Sequence, residues 1–527
     1  MLRLITPPRP HLYTIAAGAF AATGFQPLSL WPLTLAALAY LIHRLYVVKS
    51  WQQALLSGWL FGLGLFTAGN GWIATAFTYQ AEMPQWLGMI AVVLIALYLA
   101  IFPAFATLCG WWLSRTRSKA LLPAFAACWI ISEWLRATLF TGFAWNPLSM
   151  MMLGGFDRPG LALLAQWTGT YALSGLVILL GGWWLFAVRS WNKGQKLGAV
   201  AYAIGPAVLM VLPLGSAMIG VERAEGTLPL TLVQPDVRQD VLNDPANYEN
   251  QFRVTAALSL PRQRGTRRLV LWPESGVPDF LREGYRQYWY DETTYAANPT
   301  LARERIGRVI GPGSLLLTGT TDIAMKAGTA TGAYNVVTAL DSDGVIRGSY
   351  AKAHLVPFGE YLPKREWLEP VGLARFVAGN LDFFAGPGPR TLDFGQHGKA
   401  GVQICYEIIF SGEVVDRANR PDYLFNPSND GWFGDWGPPQ HLAHARMRAI
   451  EEGLPVLRST TTGISAVIDA NGVVRAFLPL RKAGRIDVLV PPPHAPTLFA
   501  QIGNAMVLVW SVVLLVIALV ASTARKR

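Results

Sequence analysis

GVQICYEIIF, residues 401–410, puts Cys405 at the end of an apolar run and follows it at once with Tyr406 and Glu407. The chain of 527 residues has only three cysteines, and the other two, Cys109 and Cys128, lie in far more hydrophobic surroundings. A mean hydropathy of +0.31 together with 20 Trp is too apolar for an ordinary soluble protein, so part of the chain belongs in lipid. What Cys405 does therefore depends on where it sits relative to a membrane.

Apolar stretches near the span length of about 20 residues run over 12–27, 30–48, 53–76, 86–113, 120–137, 160–188, 197–219 and 500–522, which predicts eight spans. Pro27 and Pro32 flank a very short connection, so a single re-entrant hairpin stays open for the first two. Lys plus Arg outnumber Asp plus Glu 12 to 3 over residues 1–220 and 3 to 0 over 491–527, whereas 221–490 carries 29 against 30. The net charge of +11 thus resides in the membrane parts and is not the footprint of a nucleic-acid surface. Its members cluster at alternate span ends: Arg3 and Arg9; Arg44 and Lys49; Arg115, Arg117 and Lys119; Arg189, Lys193 and Lys196; Arg525, Lys526 and Arg527. That alternation is the positive-inside pattern, and it predicts cytoplasmic termini with the large polar segment on the opposite side. A cleaved leader, for which Ala17 and Ala19 would suit a cleavage site, would remove the first span and break the alternation.

On this topology Cys109 and Cys128 lie within spans, out of reach of Cys405. An unpartnered thiol in an oxidising compartment is either an inert small hydrophobe or a reactive group. Residues 225–490 read as alternating strands and helices. Strand candidates are 228–233, 268–272, 314–319, 334–341, 345–350, 400–405, 423–426, 456–459, 465–469 and 473–477, and helix candidates are 243–260, 284–308, 410–417 and 438–452. Asp341-Ser-Asp-Gly344 and Asp469-Ala-Asn-Gly472 are hairpin signals. The pattern predicts one α/β domain, a mixed sheet covered by helices, with no sequence repeat. Its strands end in unusual polar residues at Glu274, at Cys405 to Glu407, and at Asn426 to Asp430, where reactive side chains of such folds collect.

Three segments in order resemble the nitrilase superfamily: LVLWPESGVP (269–278) with Glu274, SYAKAHLVPFGEYLP (349–363) with Lys352 and Glu360, and GVQICYEIIF with Cys405, followed by NPSNDGWFGDW (426–436). Set between spans seven and eight, and joined by WLRATLFTGFAWNPL (134–148), they make the whole chain similar to the apolipoprotein N-acyltransferase family. Gly431 stands where that motif is expected to carry alanine. The resemblance implies a membrane domain of seven helices over 1–220, a periplasmic nitrilase-like αββα sandwich over 221–492, and a last span with a basic tail over 498–527. It implies Cys405 as nucleophile, Glu274 as base and Lys352 as cation. Glu360, Tyr406 through its backbone N–H, and Glu407 would support them. Read from their own surroundings, Trp432 and Phe433 on the polar loop after the thiol, Phe358 in the apolar Leu355-Val-Pro-Phe358, and Trp145 are candidate substrate contacts, with ordinary core the other reading of the loop aromatics and of the apolar segment.

The implied reaction acylates the N-terminal S-diacylglyceryl cysteine of apolipoproteins from a phospholipid donor, phosphatidylethanolamine, at the bacterial inner membrane, with no cofactor. A membrane-anchored amidase with water as acceptor is the alternative. A thiol at its free pKa is only a few per cent thiolate near neutrality, so a base and a cation beside it are what nucleophilic attack requires. Other chemistries lack their residues. His441 and His444 have no third metal ligand nearby and read as helix surface. Gly463-Ile-Ser465-Ala-Val467 lacks the last glycine of a serine-hydrolase elbow, and Gly398-Lys399 has the wrong spacing for a phosphate loop.

Overall fold

In hydrocarbon every backbone N–H and C=O has to be satisfied within its own segment, which selects helices. Each of the eight apolar stretches accordingly contains one in this computed structural model, which describes residues 9–79, 84–211, 224–263, 265–368 and 382–523. Four stretches, Leu87–Ser114, Ser118–Thr138, Leu161–Asn192 and Ala505–Thr523, are long and apolar enough to cross a bilayer, and the bent pair Trp51–Gly69 with Gly71–Tyr79 adds a fifth. Pro10–Ala22, Trp31–Val47 and Lys196–Val211 have 13, 17 and 16 residues. Small residues let these helices touch. A Cβ at Gly18 would collide with the Phe61 carbonyl and one at Gly64 with that of Ile15, so Pro10–Ala22 lies backbone to backbone on Trp51–Gly69. On Ala505–Thr523 the large side chains of Leu508, Val512, Val516 and Leu519 are exposed, which is stable only in lipid.

The chain divides into two compact units. One comprises Met1–Ala74, Met83–Gly220 and Pro496–Arg527, and the other Thr75–Glu82 and Val221–Ala495. The second unit holds two six-stranded sheets. The first has the order β12-β1-β2-β3-β4-β5, with β1 Pro229–Gln234, β2 Leu269–Leu271, β3 Leu315–Lys326, β4 Thr329–Asp341, β5 Ile346–Ala351 and β12 Gly484–Leu489. The second has the order β6-β7-β8-β9-β10-β11, with β6 Thr391–Asp393, β7 Lys399–Val402, β8 Tyr423–Ser428, β9 Val456–Thr460, β10 Ser465–Ile468 and β11 Val474–Leu478. Read in those directions both sheets pair antiparallel, parallel, parallel, antiparallel, antiparallel, so one architecture occurs twice without a sequence repeat to announce it.

Period-2 alternation sorts the side chains into layers. Leu230 and Leu232 of β1, Leu315 and Leu317 of β3, Val402 of β7, Phe425 of β8 and Leu457 of β9 meet in one buried core between the sheets. Val233, Val270 and Leu316 face the other way and pack with Phe252, Ala302, Ile306 and Ile310 from the helices Tyr248–Ser259 and Pro299–Ile310. The helix Gly437–Glu452 lies on β9 and β10. The result is a helix-sheet-sheet-helix sandwich, the fold class expected.

Several expected elements differ. Residues 410–417 are not a helix: a 3-10 turn, Cys405–Ile409, ends there, Gly412 has φ +77°, and the Asp416 carboxylate accepts from the Ala418 and Asn419 N–H groups instead. The 400–405 strand stops at Val402. The 284–308 helix is broken into Gln287–Thr293 and Pro299–Ile310, because Ala296 and Ala297 take positive φ and Asn298 caps the second piece through the Thr300 and Leu301 N–H groups. β3 and β4 run far past Gly319, joined by Ala327 and Gly328 at φ +49° and +77°, a two-residue hairpin turn. β6 and β12 were not anticipated. The apolar segment 373–377, whose sequence suits ordinary core or a substrate-entry lining or lid, lies outside the described residues.

Candidate active site

Cys405 begins its 3-10 turn at φ +51°, a left-handed conformation that a non-glycine residue holds only when its surroundings over-determine it. Glu407 supplies part of that constraint. Its Oε2 accepts from the Ile404 N–H (2.7 Å), and its Oε1 accepts from the Tyr350 hydroxyl (2.9 Å) and the N–H groups of Ala353 (2.7 Å) and His354 (3.1 Å). One buried carboxylate thus ties the turn carrying the thiol to the segment leaving β5. Burial pushes the pKa of Glu407 up to about 7, against the lowering effect of those N–H donors.

Lys352 follows β5 directly, 1% exposed, its N–H bonded to the Asn335 carbonyl of β4. Its Nζ donates to Glu360 Oε1 at 2.9 Å and lies 3.6 Å from Glu274 Oε1. Burial disfavours the ammonium, but Glu360 and Glu274 outweigh it, so the Lys352 pKa is raised and the side chain stays cationic. Glu274 follows β2. Its Oε1 accepts from Asn335 Nδ2 (2.7 Å) and its Oε2 from the Asn429 N–H (2.8 Å). Asn335 Nδ2 also donates to Glu360 Oε1 (3.1 Å), and Glu360 Oε2 accepts from the Val356 N–H (2.8 Å). The approach of β3 to Glu274 needs a glycine: a Cβ at Gly319 would lie 2.7 Å from Glu274 Cα and from the Pro273 carbonyl oxygen.

The Cys405 thiol is 5% exposed. Burial first and the Glu274 carboxylate second raise its pKa well above the ordinary thiol value, with Lys352 opposing them. The resting group is therefore a protonated thiol, beside one carboxylate that can take its proton and one ammonium that can hold a developing negative oxygen.

The structure brings Glu274, Lys352, Glu360, Cys405 and Glu407 together. Trp432 and Phe433 are half-buried in the 3-10 turn Asp430–Phe433. Phe433 packs on the inner core, and Trp432 lies edge-on to Tyr79, a residue of the same unit, at 5.7 Å. Phe358 is 38% exposed in a tight turn at φ +62°. Trp145 belongs to the helical unit, where it is fully buried against Trp72 with ring centroids 4.6 Å apart.

His441 and His444 correct the reading as helix surface. Both are fully buried, because the helix that carries them is covered nearly all round, and His441 Nε2 lies 3.1 Å from the Cys405 carbonyl oxygen. Asn335 and Arg458 are site residues that sequence reasoning did not single out, while Asp430 was placed only at a polar strand end and His441 only on a helix. Among the described residues no group of three or more His, Cys, Asp or Glu is arranged to hold a metal ion.

Residues 17–183 match the family model described as apolipoprotein N-acyltransferase N-terminal domain, and residues 244–495 match carbon-nitrogen hydrolase. A curated apolipoprotein N-acyltransferase of Rhodopseudomonas palustris is 33% identical over 526 residues, covering 95% of this chain and 94% of its own length. The chain belongs to the apolipoprotein N-acyltransferase family. A second apolipoprotein N-acyltransferase, from Bradyrhizobium diazoefficiens, is 34% identical over 96% of this chain and 94% of its own. Among solved structures, a mutant nitrilase-superfamily amidase from Nesterenkonia AN1 is similar over 53% of this chain and 95% of its own, at 20% identity and a TM-score of 0.34. In apolipoprotein N-acyltransferase terms, the hydrolase-type match contains all five clustered residues, and Trp145 falls in the N-terminal-domain match.

Proposed function

We propose that this chain transfers an acyl group from a phospholipid to the α-amine of an S-diacylglyceryl cysteine at the N-terminus of apolipoproteins, through a thioester on Cys405. The observation that carries the reading is a buried cysteine that shares its site with the Glu274–Lys352 ion pair, in a member of this family. In the first step Glu274 takes the thiol proton as sulfur attacks the ester carbonyl. Lys352 and the Tyr406 N–H hold the tetrahedral oxyanion, and Glu274 returns the proton to the departing lysophospholipid oxygen. In the second step the free amine attacks the thioester, Glu274 accepts its proton, and the released thiolate recovers it as the amide forms. Glu360 holds Lys352, and Glu407 holds the nucleophile's turn.

Both substrates carry acyl chains that cost about 0.8 kcal/mol per CH₂ to move into water. A helical unit that keeps the chains in lipid therefore belongs in the same protein as the thiol. We assign residues 1–220 and 498–527 to the membrane and 221–492 to catalysis, with the termini in the cytoplasm and the thiol on the periplasmic side of a bacterial inner membrane. Phosphatidylethanolamine is the proposed donor, and Trp432, Phe433 and Phe358 are the proposed acyl-chain contacts. The test is product analysis. With phosphatidylethanolamine vesicles and a diacylated lipopeptide the purified chain should yield N-acylated lipopeptide and lysophospholipid in equal amounts. Free fatty acid as the sole acyl product would instead identify a membrane-anchored amidase with water as acceptor.

A further inference from the structure

The peptide linking Cys405 to Tyr406 has two polar ends. Because a trans peptide is planar, its C=O and N–H point in opposite directions, and fixing one aims the other. The Cys405 carbonyl oxygen accepts from His441 Nε2, on the helix Gly437–Glu452, at 3.1 Å and from Asn426 Nδ2, on β8, at 3.4 Å. A carbonyl only accepts, so Nε2 carries a proton whatever the charge on the ring. The other ring nitrogen, Nδ1, sits 3.0 Å from Asp430 Oδ1 and 3.0 Å from Arg458 Nη2. Arg458 Nη2 donates to both Asp430 oxygens at 2.8 and 2.7 Å, its Nη1 reaches Asn426 Oδ1, and the Ser428 hydroxyl donates to Asp430 Oδ1 at 2.9 Å.

Asp430, His441 and Arg458 are fully buried, so water does not compete for these bonds. Glu407 holds the N-terminal side of Cys405 through the Ile404 N–H, and His441 holds its C-terminal side. The left-handed φ of the nucleophile is thereby fixed at both ends. Asn429, next to Asp430 in the chain, is the residue whose N–H holds Glu274 Oε2.

We infer that His441 is the positioning residue of the oxyanion donor: its Nε2–H anchors the Cys405 carbonyl so that the Tyr406 N–H is aimed at the acyl oxygen, with Asp430 and Arg458 locking the imidazole. The inference rests on the proposed thioester reaction, in which Tyr406 is that donor. It separates two properties of the site. The nucleophilicity of the thiol depends on Glu274 and Lys352, whereas stabilisation of the oxyanion depends also on His441.

The experiment measures, on the full chain in detergent, single-turnover thioester formation from phosphatidylethanolamine alongside alkylation of Cys405 by chloroacetamide, a displacement at carbon that develops no oxyanion. Two polar variants keep the network hydrated or bonded in similar ways but differ in reach. His441→Gln extends an amide N–H to the Nε2 position, and His441→Asn ends at the Nδ1 position. We expect His441→Asn to slow thioester formation about 10²-fold, the cost of one oxyanion donor, with alkylation within about threefold of wild type. His441→Gln should recover at least about tenfold of that loss. Thioester formation at the wild-type rate in His441→Asn, or a parallel loss of acylation and alkylation in both variants, overturns the inference while leaving the reaction in place. An acyl adduct that persists in Cys405→Ala overturns the underlying reaction instead.

Discussion

Lys352→Met removes one charge from a buried cluster of three while keeping the length of the side chain. The ammonium lies 2.9 Å from Glu360 and 3.6 Å from Glu274, and both carboxylates share the single amide of Asn335. Breaking a buried ion pair costs about 3–5 kcal/mol because the remaining charge has no counterpart. For a unit of this size each kcal/mol lowers the melting temperature by roughly 2–4 °C, so a loss on the order of 10 °C is expected near neutral pH. Melting followed by tryptophan fluorescence near neutral pH measures this. A variant that melts within about 2 °C of wild type would refute the account of Lys352 as the counter-charge of this cluster.

Glu407→Gln places an amide N–H₂ against at least one of four N–H and O–H donors. It should cost about 2–4 kcal/mol in a thermal or denaturant melt, as expected for losing charge-assisted bonds. Because the folded-state pKa of Glu407 is raised from 4.5 to about 7, its contribution to stability is full below 4.5 and is lost as pH rises through about 7. The wild-type decline across that window should flatten in the Gln variant, and an unchanged decline would assign the slope to another group. Gly319→Ala brings a methyl to 2.7 Å from Glu274 Cα and has to displace the base. A shift approaching 1 Å costs about 10² in rate, to be read as slowed thioester formation with unchanged phospholipid binding.

Glu274 and Cys405 were legible because each ends an apolar run, after Leu269-Val-Leu-Trp272 and after Ile404, whereas Lys352 follows the mixed strand β5 and was legible only through the resemblance of SYAKAHLVPFGEYLP to the nitrilase superfamily. What holds them was not, because those partners are remote in sequence. Asn335 reads as one polar residue in a β-branched strand until Glu274, 61 positions away, is folded onto it, and His441 meets the Cys405 carbonyl across 36 positions. Buried arginine in β9 gave no periodic signal, since Arg458 looks like a solvent-facing residue unless Asp430 is known to lie opposite. Element boundaries failed where capping overrode periodicity, as at Asn298-Pro299 and Asp416, and the edge strands β6 and β12 were too polar to stand out. The repeated strand pattern of the two sheets rests on pairing geometry that very different side chains satisfy, so it left no trace in the sequence.

Intact-protein mass spectrometry after incubation with phosphatidylethanolamine tests the central claim most directly. Wild type should gain the mass of one acyl chain, the adduct should be released by hydroxylamine and discharged by a diacylated lipopeptide, and Cys405→Ala should gain none. An equal adduct on wild type and Cys405→Ala would contradict the thioester on Cys405.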